Sequence, residues 1–263
     1  MPMHNIFPAT AARLSQWIAR PDVLGVILVG SKSRIHADEL SDDDLEVLLT
    51  DQAFALLRPS ECSELVFEGE DQTGKLIYDA QYISFSAVER KLTSPLDLDH
   101  WPYEQARVLF DRTGNVTTTV ENLGRMEAAF RHTRLLYSTI NTMIAIGRAT
   151  KTLQRGYEAA GRLIVARGAK ALSNVLFALE WRWVPMDHWL ENELRTLEDP
   201  THAGPLLIEA LNSGSPTPLR EALNGLADRL ASEGVPRPES RRELFFELIH
   251  PSRAGDMAIH GVF

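Results

Sequence analysis

The sequence predicts an α+β chain: a mixed sheet with flanking helices over residues 1–115, followed by a helical bundle over residues 116–263. Three observations carry that expectation. Residues 23–29 read Val-Leu-Gly-Val-Ile-Leu-Val, an apolar, branched run of the length of a buried strand. Residues 75–84 form a second strand pattern behind a Thr73-Gly74 turn, and residues 42–49 a third that opens with acids. Beyond residue 117 the apolar period changes to three and four, the period of helices. The turn-forming run Asp111-Arg112-Thr113-Gly114-Asn115 marks the junction. A chain of 263 residues can bury a sizeable core and is read as two modest domains.

In order, residues 11–20 are read as a short amphipathic helix, 23–29 as a strand, and a helix is expected to begin near Ser31. The acidic strand ends near Thr50. Residues 52–57 and 87–92 read as helical, 64–68 and 75–84 as strands, and 107–110 as a further strand. In the second half, 117–148 and 156–183 are long helical stretches, with shorter helices at 187–196, 205–211, 219–232 and 240–249. Their junctions are punctuated by Asp199-Pro200, Gly214-Ser215-Pro216 and Gly234-Val235-Pro236-Arg237-Pro238. The second half is therefore expected to fold as a helical bundle.

The chemistry concentrates at the start. Val29-Gly30-Ser31-Lys32-Ser33-Arg34 leaves the first strand, and Ser41-Asp42-Asp43-Asp44-Leu45-Glu46-Val47 follows ten residues after Ser31. Side chains alternate along a strand, so Asp42, Asp44 and Glu46 share one face while Asp43, Leu45, Val47 and Leu49 share the other. Carboxylates this close repel unless a cation lies between them, and hard oxygen ligands suit magnesium bridged to phosphate. Gly30 permits close backbone approach, Ser31 and the following amides can donate to phosphate oxygens, and Lys32 and Arg34 add positive charge. A third acid, Asp79, lies in the middle of the 75–84 strand, where a charged side chain costs free energy unless it is paired, hydrogen-bonded or metal-bound.

Gly30, Ser31, Arg34, Ser41, Asp42, Asp44 and Leu45 resemble the signature of the nucleotidyltransferase superfamily, Gly-Ser-x-x-Arg-Gly, five residues, then Ser-Asp-x-Asp-Leu. The resemblance is to bacterial antibiotic (aminoglycoside-type) adenylyltransferases, to the small minimal nucleotidyltransferases, and to uncharacterised nucleotidyltransferase-like proteins with a helical C-terminal domain. Ile35 replaces the usual glycine, and Asp43 stands where an apolar residue is usual. Asp44-Leu45-Glu46 also fits the looser Asp-apolar-acid form, so Asp42 and Glu46 compete as the partner of Asp44. The resemblance implies a nucleotidyltransferase domain over 1–115 and a helical substrate-binding domain over 116–263. It further implies that Asp42, Asp44 and Asp79 hold Mg2+ and act in catalysis, with Asp79 or a carboxylate of the second half as the base for the acceptor. Gly30, Ser31, Lys32 and Arg34 would then hold the triphosphate. Arg148, Lys151 and Arg155 recur at helical spacing, and Lys151 is the preferred phosphate contact from the second half, as the family often supplies a lysine there.

Composition bounds the partners. The formal net charge is −9, and all of that excess lies in residues 1–115, with 19 Asp and Glu against 10 Lys and Arg. A surface of this sign repels polyanions and offers no basic track, which argues against a nucleic-acid substrate and favours a small cationic acceptor. A single cysteine, Cys62, excludes an internal disulfide. The start of the chain lacks a charged region followed by an apolar core, and no apolar run approaches about 18 residues, so a cytoplasmic protein without membrane contact is expected. No His-x-x-x-His, Gly-x-Ser-x-Gly or phosphate-loop Gly-Lys-Ser/Thr motif occurs, which disfavours zinc hydrolysis and P-loop chemistry. The aromatic stretches Trp101-Pro102-Tyr103 and 179–189 read chiefly as core and interface filling.

The expected activity is magnesium-dependent transfer of NMP, AMP by preference, from ATP or another NTP to a hydroxyl of a small acceptor, with an aminoglycoside-like antibiotic as the candidate, and with release of pyrophosphate. The alternatives are a protein adenylyltransferase of the minimal type and a nucleotide-binding module that has lost catalysis.

Overall fold

The computed structural model describes residues 6–69, 73–237 and 240–261; Pro238, expected at a helix junction, lies outside them. The chain divides into two compact units, Met1–Arg125 and Met126–Phe263.

The first unit is built on a five-stranded mixed sheet in the order β3-β4-β2-β1-β5, where β1 is Val23–Val29, β2 Asp43–Leu49, β3 Ser63–Phe67, β4 Leu76–Ser84 and β5 Arg107–Asp111. β1 pairs antiparallel with both β2 and β5, β3 pairs antiparallel with β4, and β2 pairs parallel with β4. The continuous apolar run of β1 is explained by coverage on both faces. Val26 and Leu28 join Leu45, Val47, Tyr78 and Ala80 under Leu14 and Trp17 of helix α1, Pro8–Ala19. Ile27 and Leu48 join Val88, Tyr103, Val116, Val120 and Leu123 on the opposite face. Val88 comes from α3, Phe85–Arg90, Tyr103 from a 3₁₀ turn, Trp101–Tyr103, and the last three from α4, Asn115–Leu123, the short α2 being Asp51–Phe54. Gly25 has a packing reason: a Cβ there would lie 2.7 Å from a Val116 methyl carbon, so the glycine lets α4 close on the strand.

Three elements differ from the sequence reading. The helix expected near Ser31 is only a three-residue 3₁₀ turn, Ser31–Ser33. It stops because Arg34 turns to extended backbone, φ −115° and ψ 175°, and its guanidinium stacks 3.9 Å from the ring centroid of buried Trp101. The long helix expected over 117–148 is two helices, α4 and α5, the latter Ala128–Gln154. They part at Gly124, where a Cβ would come within 3.0 Å of the Glu104 backbone. The first unit consequently ends at Arg125, not at residue 115, because α4 buries its apolar side on the sheet.

The second unit is helical: α5 is followed by α6, Glu158–Leu179, then α7 Leu190–Leu194, α8 Ala203–Ser213, α9 Thr217–Gly225, α10 Ala227–Ser232, α11 Arg241–Leu248 and α12 Ala254–His260. Gly168 of α6 admits Ala145 of α5 and Leu219 of α9, since a Cβ there would stand 2.8 Å and 3.0 Å from their side chains. Of the aromatic stretch, Trp183 is buried against Phe130 at 5.1 Å, and Trp181, half exposed, lies over the Arg131 guanidinium. Among the described residues no helix is long and apolar enough to cross a membrane.

Candidate active site

Parallel pairing of β2 with β4 sets Asp44 directly beside Asp79, and antiparallel pairing of β1 sets Val29 opposite Asp44. The residue after Val29 is Gly30, with φ 68° and ψ −157°, backbone that a side chain rarely adopts. A Cβ at Gly30 would fall 1.9 Å from Asp44 Oδ2. The absent side chain is therefore the space that the Asp44 carboxyl occupies, and the Gly-Ser turn and the acid are in contact.

Electrostatics then follow from crowding. The Asp44 carboxyl is pushed up to about 7, first by burial, then by the charges of Asp42, Asp79 and Asp43, with Lys32 opposing. Asp79 is also raised, by burial first and by Asp42, with a side-chain hydrogen bond from Gln81 acting the other way. Its Oδ1 is shut off from solvent without a hydrogen-bond partner. Asp42, Asp44 and Asp79 thus form one coupled acidic group with too little positive charge among them.

Among the described residues no group of three or more His, Cys, Asp or Glu side chains is placed to hold a metal ion by itself. Magnesium does not require one, because it is usually held by one or two carboxylates together with waters and substrate phosphates.

Asp42 and Glu46 differ in what surrounds them. Glu46 accepts from Tyr103 Oη at 3.0 and 2.7 Å and pairs with Lys91 Nζ at 3.5 Å, while Lys91 also donates to Tyr103 Oη at 2.6 Å. Its charge is matched two residues deeper along the strand, which leaves Asp42 as the acid coupled to Asp44. Asp43 lies on the α1 face and so leaves the acidic group intact. Lys91 and Tyr103 were not among the expected site residues. Trp101-Pro102-Tyr103 was visible as an aromatic cluster, whereas nothing local distinguishes Lys91.

The cations do not fall where expected. Lys32 Nζ is bonded to Asp43 Oδ1 at 2.9 Å and lies 3.3 Å from the Phe7 ring centroid. Arg34 is buried, donating to the Trp101 carbonyl as well as stacking on its ring. Both side chains are held by partners within the first unit. Ser31 opens the 3₁₀ turn and is itself nearly buried. Ile35, which stands where the signature has glycine, is exposed. Lys151 and Arg148 are exposed in the last turns of α5, and Arg155 is its C-cap residue, all in the second unit.

The sequence matches no protein-family model and no curated protein. The chain is similar to a solved structure, a nucleotidyltransferase-like protein from Exiguobacterium sibiricum 255-15, at 19% identity and a TM-score of 0.48. That similarity covers 96% of this chain and 87% of the other. Likeness at that level transfers neither a function nor a residue's role.

Proposed function

We propose that this protein is a magnesium-dependent nucleotidyltransferase that moves NMP, AMP by preference, from an NTP to a hydroxyl of a small acceptor of the aminoglycoside-like kind. The observation that carries the reading is the in-register pair Asp44 and Asp79, with Asp44 seated in the space left by Gly30. A Gly-Ser turn for phosphate and an acidic group short of positive charge meet at one point of the sheet.

Asp42 and Asp44, with Asp79 beside them, would hold Mg2+, which supplies neutralisation of charge developing on the α-phosphoryl group. Ser31 and the amides of its turn orient the β and γ phosphates. Asp79 takes the proton of the acceptor hydroxyl. The acceptor oxygen forms its bond to the α-phosphorus as the bond to the bridging oxygen breaks, and pyrophosphate leaves. The low basic charge of residues 1–115 supports a small acceptor over a nucleic acid, and use of an NTP is in keeping with a cytoplasmic activity. A resistance role follows where the acceptor is an antibiotic.

The test is a pyrophosphate-release screen of aminoglycosides, lincosamides and related hydroxyl compounds with all four NTPs and magnesium. Release with at least one acceptor is expected, and its loss in Asp44→Asn. Turnover retained in that variant refutes the assignment. Label from ATP appearing on a polypeptide in a lysate, with none on small molecules, would replace this reading by protein adenylylation.

A further inference from the structure

Asp43 interrupts the motif with a third consecutive acid, yet it serves the opposite face of β2 from Asp44. It is fully buried. Three donors converge on its two oxygens: Oδ2 accepts from the Phe7 backbone N–H at 2.8 Å and from Thr10 Oγ1 at 2.5 Å, and Oδ1 accepts from Lys32 Nζ at 2.9 Å. Phe7 and Thr10 belong to the entry and first turn of α1. Lys32 is the middle residue of the 3₁₀ turn that follows Gly30. Its ammonium is enclosed, with the Phe7 ring on one side and Asp43 on another. A buried carboxylate needs both donors and opposite charge, so Lys32 cannot swing to a phosphate without stranding Asp43. The other fastenings of the turn include Ser33 Oγ to the Gly30 carbonyl at 2.8 Å, Arg34 N–H to the Ser31 carbonyl at 3.0 Å, and Arg107 to the Lys32 carbonyl at 3.3 Å. The ion pair is the fastening that ties the Lys32 side chain to both β2 and α1.

We propose that Asp43 is a positioning residue: through Lys32 it holds the turn at residues 30–34 in the form that meets phosphate, and it makes that form depend on the seating of the first turn of α1. The inference rests on the nucleotidyl-transfer reading for its consequence in turnover. Its structural content stands apart from that reading. Asp43 touches no reacting atom. It acts by having the turn ordered before the nucleotide arrives, so that binding does not bear the cost of ordering it.

The experiment compares Asp43→Leu, Lys32→Met and the double variant. Each single change leaves one buried charge without its partner, so both lower the melting temperature by several degrees. The double change replaces the pair with apolar groups of similar size and recovers most of that loss. A merely structural pair would then leave nothing else altered. With the pair gone but the fold restored, KM for magnesium ATP is expected to rise about tenfold or more while kcat changes far less. Wild-type KM in a double variant of restored melting temperature overturns the proposal.

Hydrogen exchange without nucleotide gives a readout that does not need turnover. The amides of residues 31–34 are expected to exchange at least about tenfold faster in the double variant while β2 and α1 keep their protection. Unchanged exchange there overturns the proposal even if the protein proves to be a nucleotidyltransferase. Accelerated exchange upholds the positioning role even if no NTP is turned over. Should the double variant fail to fold, Thr10→Val, which leaves every charge in place, serves the same test. It is expected to accelerate exchange at residues 31–34 in the same direction by a smaller factor, and no acceleration overturns the proposal.

Discussion

Asp43 and Asp44 are neighbours in sequence and opposites in environment. Asp43, on the α1 face, is buried deeper and has three donors on its carboxylate. Asp44, on the other face, is less buried and is pushed up to about 7 by burial and by the acids around it. Glu64 repeats the first pattern. Burial alone would raise it, but Arg13, Tyr78 and Tyr82 all bond to it, at 2.6, 2.5 and 2.7 Å, and hold it below the usual carboxylate range. Asp79 repeats the second, with one buried oxygen unpartnered. One sheet therefore carries two kinds of acid: Asp43 and Glu64 on the α1 face, and Glu46 on the other, are matched by donors and opposite charge, whereas Asp44 and Asp79 crowd one another and Asp42 with too little positive charge to match them.

The contrast breaks most visibly at Asp44. Asp44→Asn is expected to lower the transfer rate by roughly 10⁴-fold, about 5 kcal/mol of transition-state stabilisation, with the fold intact. Steady-state pyrophosphate release and a circular dichroism spectrum check both halves of that statement. Asp43→Leu should do the reverse in kind, costing about 3–5 kcal/mol of stability because it leaves the Lys32 ammonium buried without its partner; urea unfolding measures it.

Titration sharpens the comparison. The folded value of Asp44, about 7, lies above its ordinary value of 3.8, so between those limits the folded protein binds more protons than the unfolded chain. Stability of the metal-free protein should therefore fall as pH rises from 4 to 7, by roughly 3–4 kcal/mol across the window, and Asp44→Asn should flatten the slope. Glu64 has the opposite sign: held below its ordinary value of 4.5, it stabilises the fold above that pH and loses its contribution as pH falls through the folded value. The smallest expected effect is Glu64→Gln, about 1–2 kcal/mol at neutral pH, since the hydrogen bonds survive in weaker, uncharged form. A pH series of denaturant midpoints with both variants separates the two faces. Added magnesium should reverse the Asp44 slope and leave the Glu64 one.

The sequence made local features legible. The apolar run of β1, the alternation that divides Asp42, Asp44 and Glu46 from Asp43, and the turn residues around Gly30 and Gly114 are all short-range patterns, and the strands of the sheet follow them closely. Asp79 was legible as a charge inside a strand, but its place beside Asp44 depends on a parallel pairing between segments more than thirty residues apart. What was not legible is long-range by nature. The matching of Glu46 by Tyr103 and Lys91, the capture of Lys32 by Asp43 and Phe7, and the insertion of Arg34 on Trp101 are set by which elements meet in space. A basic residue after a Gly-Ser turn reads as a phosphate contact until its partner across the sheet is known. The break between α4 and α5 was hidden for the same reason: Gly124 is tolerable within a helical period, and the Glu104 backbone that crowds it comes from another segment.

The contact between Gly30 and Asp44 ties two positions fourteen residues apart into a single unit of inheritance. One volume serves both: a side chain at position 30 evicts the carboxylate, and the backbone there, at φ 68°, asks for glycine whatever stands at 44. Descendants that keep the acid must keep the glycine, whereas a lineage that abandons the chemistry is released at 44 alone.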